Sequence, residues 1–122
     1  MNIAQYTKAA SLEEAWELNQ KRSAVVLGGC CWLRLSPQRR IAQAIDLSAL
    51  GLDQIEEGED SFRLGAMVTL GQLEGHDGLA AFTQGAMKEA VRHIVGTQFR
   101  NMATVGGSIS GRFGFSDIWT LF

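Results

Sequence analysis

Two glycine pairs, Gly28-Gly29 and Gly106-Gly107, each follow a short apolar or Thr-Val run. A Gly-Gly placed after a strand lets the backbone approach a ligand closely, and successive N–H groups can then converge on an anion. The first pair lies in VVLGGCCWL, Val25 to Leu33, and the second in TQFRNMATVGGSISG, Thr97 to Gly111. Two strand-then-glycine elements in one short chain predict two backbone cradles facing a single anionic ligand. Hydroxyls flank the second pair at Thr104, Ser108 and Ser110, and Gly111 follows.

Other chemistry is less well supported. The Rossmann G-x-G-x-x-G is absent. GGSISGR, from Gly106 to Arg112, has Arg112 where a P-loop has Lys and Phe113 where it has a magnesium-binding hydroxyl, so nucleotide hydrolysis is not expected. Neither His76 nor His93 reads as a metal ligand; the first reads as a solvated loop residue, the second as part of a helix face. Ser108, Ser110 and Ser116 lack a nucleophile-elbow context. Arg100 suits a phosphate or, more commonly, a loop carboxylate. Trp16, Trp32 and Trp119 read as core, because no basic residues interleave with them. No residue stands out as a catalytic acid, base or nucleophile, and none as a metal ligand.

Cys30 and Cys31, the only cysteines, are adjacent. Neighbouring cysteines seldom bridge each other because the intervening peptide would be strained, and they lack zinc-site spacing. They read as two reduced thiols of a cytoplasmic protein. The 122 residues are 46% apolar and 20% charged with a net charge of −2, which fits one globular domain or two very small lobes. No basic face is available for nucleic acid, no apolar run is long enough to span a membrane, and the first residues have no apolar signal-peptide core.

The elements that must position these residues follow in order. Ile3 to Tyr6 reads as a strand. Ser11-Leu12-Glu13-Glu14 is a capping box that opens a helix to about Lys21. Ala24 to Leu27 reads as a buried strand, Cys30 to Leu35 as one helical turn, and Ile41 to Leu47 as a third strand ended by Asp46. Gln54 to Glu57 and Ser61 to Ala66 predict an antiparallel hairpin. Thr69 and Gln72 form a second capping box whose helix Gly75 closes, and Leu79 to Ile94 predicts one amphipathic helix ended by Gly96.

VVLGGCCWL, RLGAMVTLGQLE and above all RHIVGTQFRNMATVGGSIS, in this order, resemble the FAD-binding subunit or domain of molybdenum hydroxylases, the xanthine dehydrogenase and carbon monoxide dehydrogenase flavoproteins. The corresponding family blocks read as an apolar run plus GGT, then IGA-x-VTL, then IRN-x-ATIGGN. The resemblance runs from about Ala10 to the end of the chain. It implies an α+β, two-lobed FAD-binding fold of the PCMH type, with a small βαβ-type first lobe over residues 1–52 and an incomplete second lobe over 53–122.

It further implies that FAD is the cofactor, with its pyrophosphate between the two glycine elements. By position, Leu27, Gly28, Gly29 and Cys30 would form the first cradle, and Thr104, Gly106, Gly107 and Ser108 the second, with Asp117 near the ribose. Implied partners are the molybdopterin-binding and iron–sulfur subunits of a hydroxylase complex. The flavin would take electrons from the iron–sulfur clusters and pass them to NAD or another acceptor.

Cys30 stands where the family usually has Thr or Asn, Ser108 where it has Asn, and Gly111 to Phe115 depart from its small-residue segment. Each lost hydrogen bond would cost roughly 0.5–1.5 kcal/mol, so affinity is expected to fall by about one to two orders of magnitude. Family members extend well beyond this length, so the chain is expected to be inactive alone and, with Ile118, Trp119, Leu121 and Phe122 at its end, to self-associate. The alternatives are a non-catalytic assembly module that has lost FAD and another PCMH-type flavin oxidase or reductase.

Overall fold

The computed structural model describes residues 1–37, 40–112 and 116–122. The chain opens with β1 (Asn2–Lys8), α1 (Leu12–Asn19), β2 (Ala24–Leu27), a 3₁₀ turn (Leu33–Leu35) and β3 (Arg40–Asp46). These strands form a parallel sheet of order β1-β3-β2. In register, Ile3 faces Ile41 and Lys8 faces Asp46 across β1 and β3, while Ala24 faces Gln43 and Leu27 faces Asp46 across β2 and β3. A strand-helix-strand unit with a third strand between its two strands is therefore the framework of the first half.

Burial follows from that order. The central strand carries the buried Ile41, Ala44 and Ile45, and Ile45 packs with Ala9 and Ala15 under α1. The one polar side chain buried in this strand, Gln43, is satisfied by donating to Thr7 Oγ1 and Ala44 O, each at 3.0 Å. Ala24 to Leu27 was expected to be a fully buried strand; β2 is instead a half-buried edge, because it pairs only with β3. Its continuous hydrophobicity has another use, since Val25 and Val26 line the cleft described below.

Ser11 caps α1 by accepting the Glu14 N–H at 3.1 Å. The Glu14 carboxylate reaches one residue beyond the cap and accepts from Ala10 N–H at 2.8 Å, so the expected reciprocal pair is shifted by one position.

The second half begins with the predicted hairpin, β4 (Ile55–Glu57) antiparallel to β5 (Phe62–Leu64). Five short helices follow it before the last, α7: α2 (Leu70–Gly75), α3 (Asp77–Phe82), α4 (Ala86–Val91), α5 (Thr97–Arg100) and α6 (Val105–Ser110), then α7 (Asp117–Leu121). The Thr69–Gln72 capping box is complete: Gln72 N–H donates to Thr69 Oγ1 at 3.2 Å, and Thr69 N–H to Gln72 Oε1 at 2.9 Å.

The single helix expected over Leu79 to Ile94 is two. Gln84 (φ 53°) and Gly85 (φ 84°) both adopt left-handed backbone, and Gly85 N–H returns to Ala80 O at 2.7 Å as a helix-ending bond. Thr83 spans the break, donating to Leu79 O at 2.7 Å and accepting from Met87 N–H at 3.1 Å. Leu79, Met87 and Val91 still share one apolar cluster with Val68, Leu70, Leu73, Val105 and Ile118. The face expected from the periodicity, Leu79, Phe82, Ala86, Ala90, His93 and Ile94, is therefore not the buried one: Phe82, Ala86 and His93 are exposed, and burial past the break falls on Met87 and Val91.

His76 is no solvated loop residue either. Its Nδ1 accepts from Leu79 N–H at 3.1 Å, capping α3, and its ring meets Phe62 edge-on at 5.9 Å. Nor is Trp16 core: it is 66% exposed, and Trp32 and Trp119 are also exposed. Arg100 takes the commoner of its two expected fates, pairing with Glu74 Oε2 at 3.0 Å and donating to Ile94 O at 3.0 Å.

Candidate functional site: a cleft between the two glycine pairs

The Gly28–Cys31 turn leaves the carboxyl end of β2, the usual ligand side of a parallel sheet. Across from it stands the entry to α6. A Cβ added to Gly28 would sit 2.9 Å from Thr104 Oγ1 and 3.7 Å from Gly107 Cα. One on Gly29 would overlap the Met102 carbonyl and come within 2.9 Å of Ala103 Cα. Glycine is required at Gly29 because two backbones touch there, not because of positive φ; at Gly28 the close neighbour is the Thr104 hydroxyl. Among the described residues of this turn, the left-handed position falls on Cys30, at φ 59°.

The first glycine pair and Gly107 of the second thus share a cleft of about 630 Å³. Gly28, Gly29, Cys30, Thr104, Gly107 and Ser108 line it. Leu27, Gly106 and Asp117 do not. Leu27 ends β2 half-buried, and Asp117 is an exposed first residue of α7. Of Gly111 to Phe115, the segment expected to depart from the family pattern, Gly111 lines the cleft and residues 113–115 lie outside the described residues.

The second glycine pair is not the strand-then-turn that its Thr-Val prefix predicted. Val105 opens a helix, with Thr104 as its cap. The reason is upstream: residues 66–70 run antiparallel to 103–106, bridged at Thr69 and Thr104. Leu70 N–H donates to Ala103 O at 2.9 Å, Val105 N–H to Val68 O at 2.9 Å, and Gly106 N–H to Ala66 O at 2.8 Å. A Cβ on Gly106 would press to 2.7 Å from that same Ala66 oxygen. Gly106 is therefore a packing glycine, and its amide is already used.

Gly107 N–H is held by the Thr104 hydroxyl at 3.1 Å, and Ser108 N–H by Thr104 O at 2.9 Å. Among the described residues, the N–H groups of Gly28 and Gly29 make no hydrogen bond. The donors ready for an anion are thus on the first loop, and the second contributes shape, the Ser108 hydroxyl and a helix entry.

Apart from Ser36 and Ser110, the rest of the cleft is apolar, and sequence reasoning missed it. Trp32 and Phe99 meet edge to face, with ring centroids 6.1 Å apart and planes at 74°. Both line the cleft with Val25, Leu33 and Leu35. The only sequence signal was proximity, Trp32 lying two residues after Cys30.

Burial pushes the thiol pKa of both Cys30 and Cys31 up. For Cys30 the neighbouring Cys31 and Asp46 add to the rise; for Cys31 the Arg34 guanidinium opposes it. Cys30 Sγ lies 3.4 Å from Gly28 O, and Cys31 Sγ 3.7 Å from Gly29 O, as weak donors. At the carboxyl end of β3, Asp46 accepts from the Tyr6 hydroxyl and, at 2.8 Å, from Ser48 N–H. Those bonds, the Tyr6 one first, hold its carboxyl below its ordinary pKa.

The chain that carries this cleft matches a known family over nearly all of its residues. The family model described as "FAD binding domain in molybdopterin dehydrogenase" aligns with residues 2–122. The chain belongs to this family. The FAD-binding domain is 35% identical over 111 residues to the nicotine 6-hydroxylase medium subunit of Paenarthrobacter nicotinovorans, covering 86% of this chain and 38% of that protein. It is 33% identical over 113 residues to Escherichia coli K12 YgfM, covering 90% and 42%.

In structure, it superposes on a chain of the Cu,Mo-CO dehydrogenase in its cyanide-inactivated form with a TM-score of 0.83. The identity there is 27%, over 96% of this chain and 43% of the other. The α+β FAD-binding fold implied by the resemblance is the fold observed. The domain spans about two-fifths of the length of these relatives. Its residues fit the family's cofactor: the cleft has an amide-bearing glycine wall for phosphates and an apolar, aromatic wall for a ring. Among the described residues, no helix is long and apolar enough to cross a membrane, and no three acid, His or Cys side chains group as metal ligands.

Proposed function

We propose that this domain holds the pyrophosphate of FAD between the Gly28–Cys30 turn and the α6 entry, as part of the flavin-bearing subunit of a molybdenum hydroxylase. The observation that carries this reading is the approach of Gly28 to Thr104 and Gly107, which makes the two glycine elements one surface. The Gly28 and Gly29 amides would donate to phosphate oxygens, and Ser108 would add a hydroxyl. Thr104 keeps the first turn of α6 in place, and Gly29 keeps the loop against Met102 and Ala103. The flavin, when bound, supplies electron acceptance from iron–sulfur clusters and delivery to NAD or another acceptor.

The boundary at residues 52 and 53 belongs to the same proposal and is supported by two separate apolar clusters, one around Ile45 and one around Val68 to Ile118. So do a cytoplasmic location and partnership with molybdopterin-binding and iron–sulfur subunits, in keeping with the medium-subunit relative. The exposed Trp119 and Phe122 support self-association. Asp117, exposed at the start of α7, would reach a ribose only from outside the cleft wall described above.

A second reading, an assembly module without FAD, is favoured by the α6 amides being satisfied internally. Visible absorption after incubation with FAD and gel filtration separates the two. Retained flavin bands are expected, and Gly107→Val is expected to abolish them with far-UV circular dichroism unchanged. Its added Cβ meets only the Thr104 hydroxyl, at 2.9 Å, on an exposed helix position, so the lesion falls on the cleft and not on the core. A protein that never retains flavin would establish the assembly reading. Unchanged retention by the variant would remove Gly107 from the site.

A further inference from the structure

Cys30 and Cys31 are both half-buried, and both line the cleft, side by side on its glycine wall. Their sulfurs rest on consecutive carbonyls, Gly28 O and Gly29 O, and make no stronger contact among the described residues; Cys31 Sγ also lies 4.0 Å from Phe99 O. We infer that the pair is a thiol site for a thiophilic centre that forms two bonds to sulfur, such as trivalent arsenic, and that its occupation closes the cleft. The proposed closure rests on the cleft being the cofactor site; the chelation itself does not.

A direct bond between the two sulfurs needs a separation of about 2.05 Å, which strains the peptide between adjacent residues. A bridging atom removes that requirement, because the sulfurs then stay apart with the centre between them. With an aryl arsenoxide, two As–S bonds form while the bonds from arsenic to oxygen break, and the two thiol protons leave with that oxygen as one water. Arsenic stays trivalent and neither sulfur is oxidised, so no further reagent is needed. Because burial raises the pKa of both thiols, they are poorer targets for alkylation, which needs thiolate. Chelation gains from two adjacent sulfurs at once, and so favours the pair over any single reactive thiol.

The adduct would occupy the space between Gly28, Thr104 and the Trp32–Phe99 pair. The test uses phenylarsine oxide and the purified chain kept reduced by a phosphine. Intact mass should show one aryl-arsenic group gained with two hydrogens lost, reversed by 1,2-ethanedithiol but not by excess monothiol. Cys30→Ser and Cys31→Ser should each make the adduct reversible by monothiol. Ready release from the native protein by monothiol, or a Cys31→Ser variant that behaves as the native chain, would overturn the proposal.

Placement in the cleft is read without flavin, from Trp32 emission in a Trp16→Phe, Trp119→Phe background. A change on loading supports it, and unchanged emission overturns it. If the unmodified protein retains FAD, the loaded protein should bind it at least about tenfold more weakly; equal affinity would overturn the closure. If it retains none, the functional reading fails, and the mass and emission results still decide the thiol site.

Discussion

Gly29 is the residue on which the cleft most depends, since its missing side chain is what lets the first loop lie on Met102 and Ala103. An added methyl would overlap a backbone carbonyl, and a backbone on both sides leaves no flexible group to yield. Gly29→Ala is expected to lower stability by roughly 3 kcal/mol or more, seen as a large fall in the urea midpoint. A fall below about 1 kcal/mol would mean that the two loops separate easily. Gly28 differs in kind: its nearest neighbour is the Thr104 hydroxyl, which can turn. The glycines looked equivalent in the sequence, and a one-dimensional string could not show that Gly28 and Gly107 line the cleft while Gly106 packs on Ala66.

Among the elements, the broken α3–α4 helix shows where periodicity misleads. A two-residue left-handed corner resets the helical phase, so burial passes from Leu79 to Met87 and Val91 and does not continue along Phe82, Ala86 and His93. Gln84 carries part of the strain of that corner, with φ 53° on a residue that has a Cβ. Gln84→Gly is expected to stabilise the protein by about 0.5–1 kcal/mol, the left-handed penalty less the entropy cost of glycine. Thermal or urea unfolding checks it, and destabilisation would show that the Gln84 side chain matters more than its backbone. The Ser11 cap and the Thr69 capping box were legible because their bonds are local in sequence. The second cradle was misread as a strand because the bonds that set it run from residues 66–70 to residues 103–106.

On the scale of the whole molecule, stability should respond to acid through the carboxyl end of the sheet. The folded state holds the Asp46 pKa below its ordinary value, so the stabilisation is present above that value and is lost as pH falls through the depressed one. Tyr6, whose hydroxyl donates to Asp46, is shifted upward by that bond first, and its contribution is lost only as pH rises through the raised value. Tyr6→Phe is therefore expected to flatten both limbs of a stability–pH profile taken from about pH 3 to about pH 11, with the acid limb visible below about pH 4. The effect should be small, because the pair is solvent-exposed. A variant with the native profile would show that Asp46 relies on Ser48 and Lys8 and not on Tyr6.

The antiparallel stitch between residues 66–70 and 103–106 also divides the cleft by compliance. The Val105 and Gly106 amides are locked to Val68 and Ala66 whether or not anything is bound, so the α6 wall has no slack for a ligand to take up. The Gly28–Gly29 amides have no such anchor among the described residues. Any ordering that accompanies binding must then be concentrated in four or five residues at the end of β2, and the entropy lost there weighs directly on affinity. One side of this site acts as an anvil, and the other alone does the adapting.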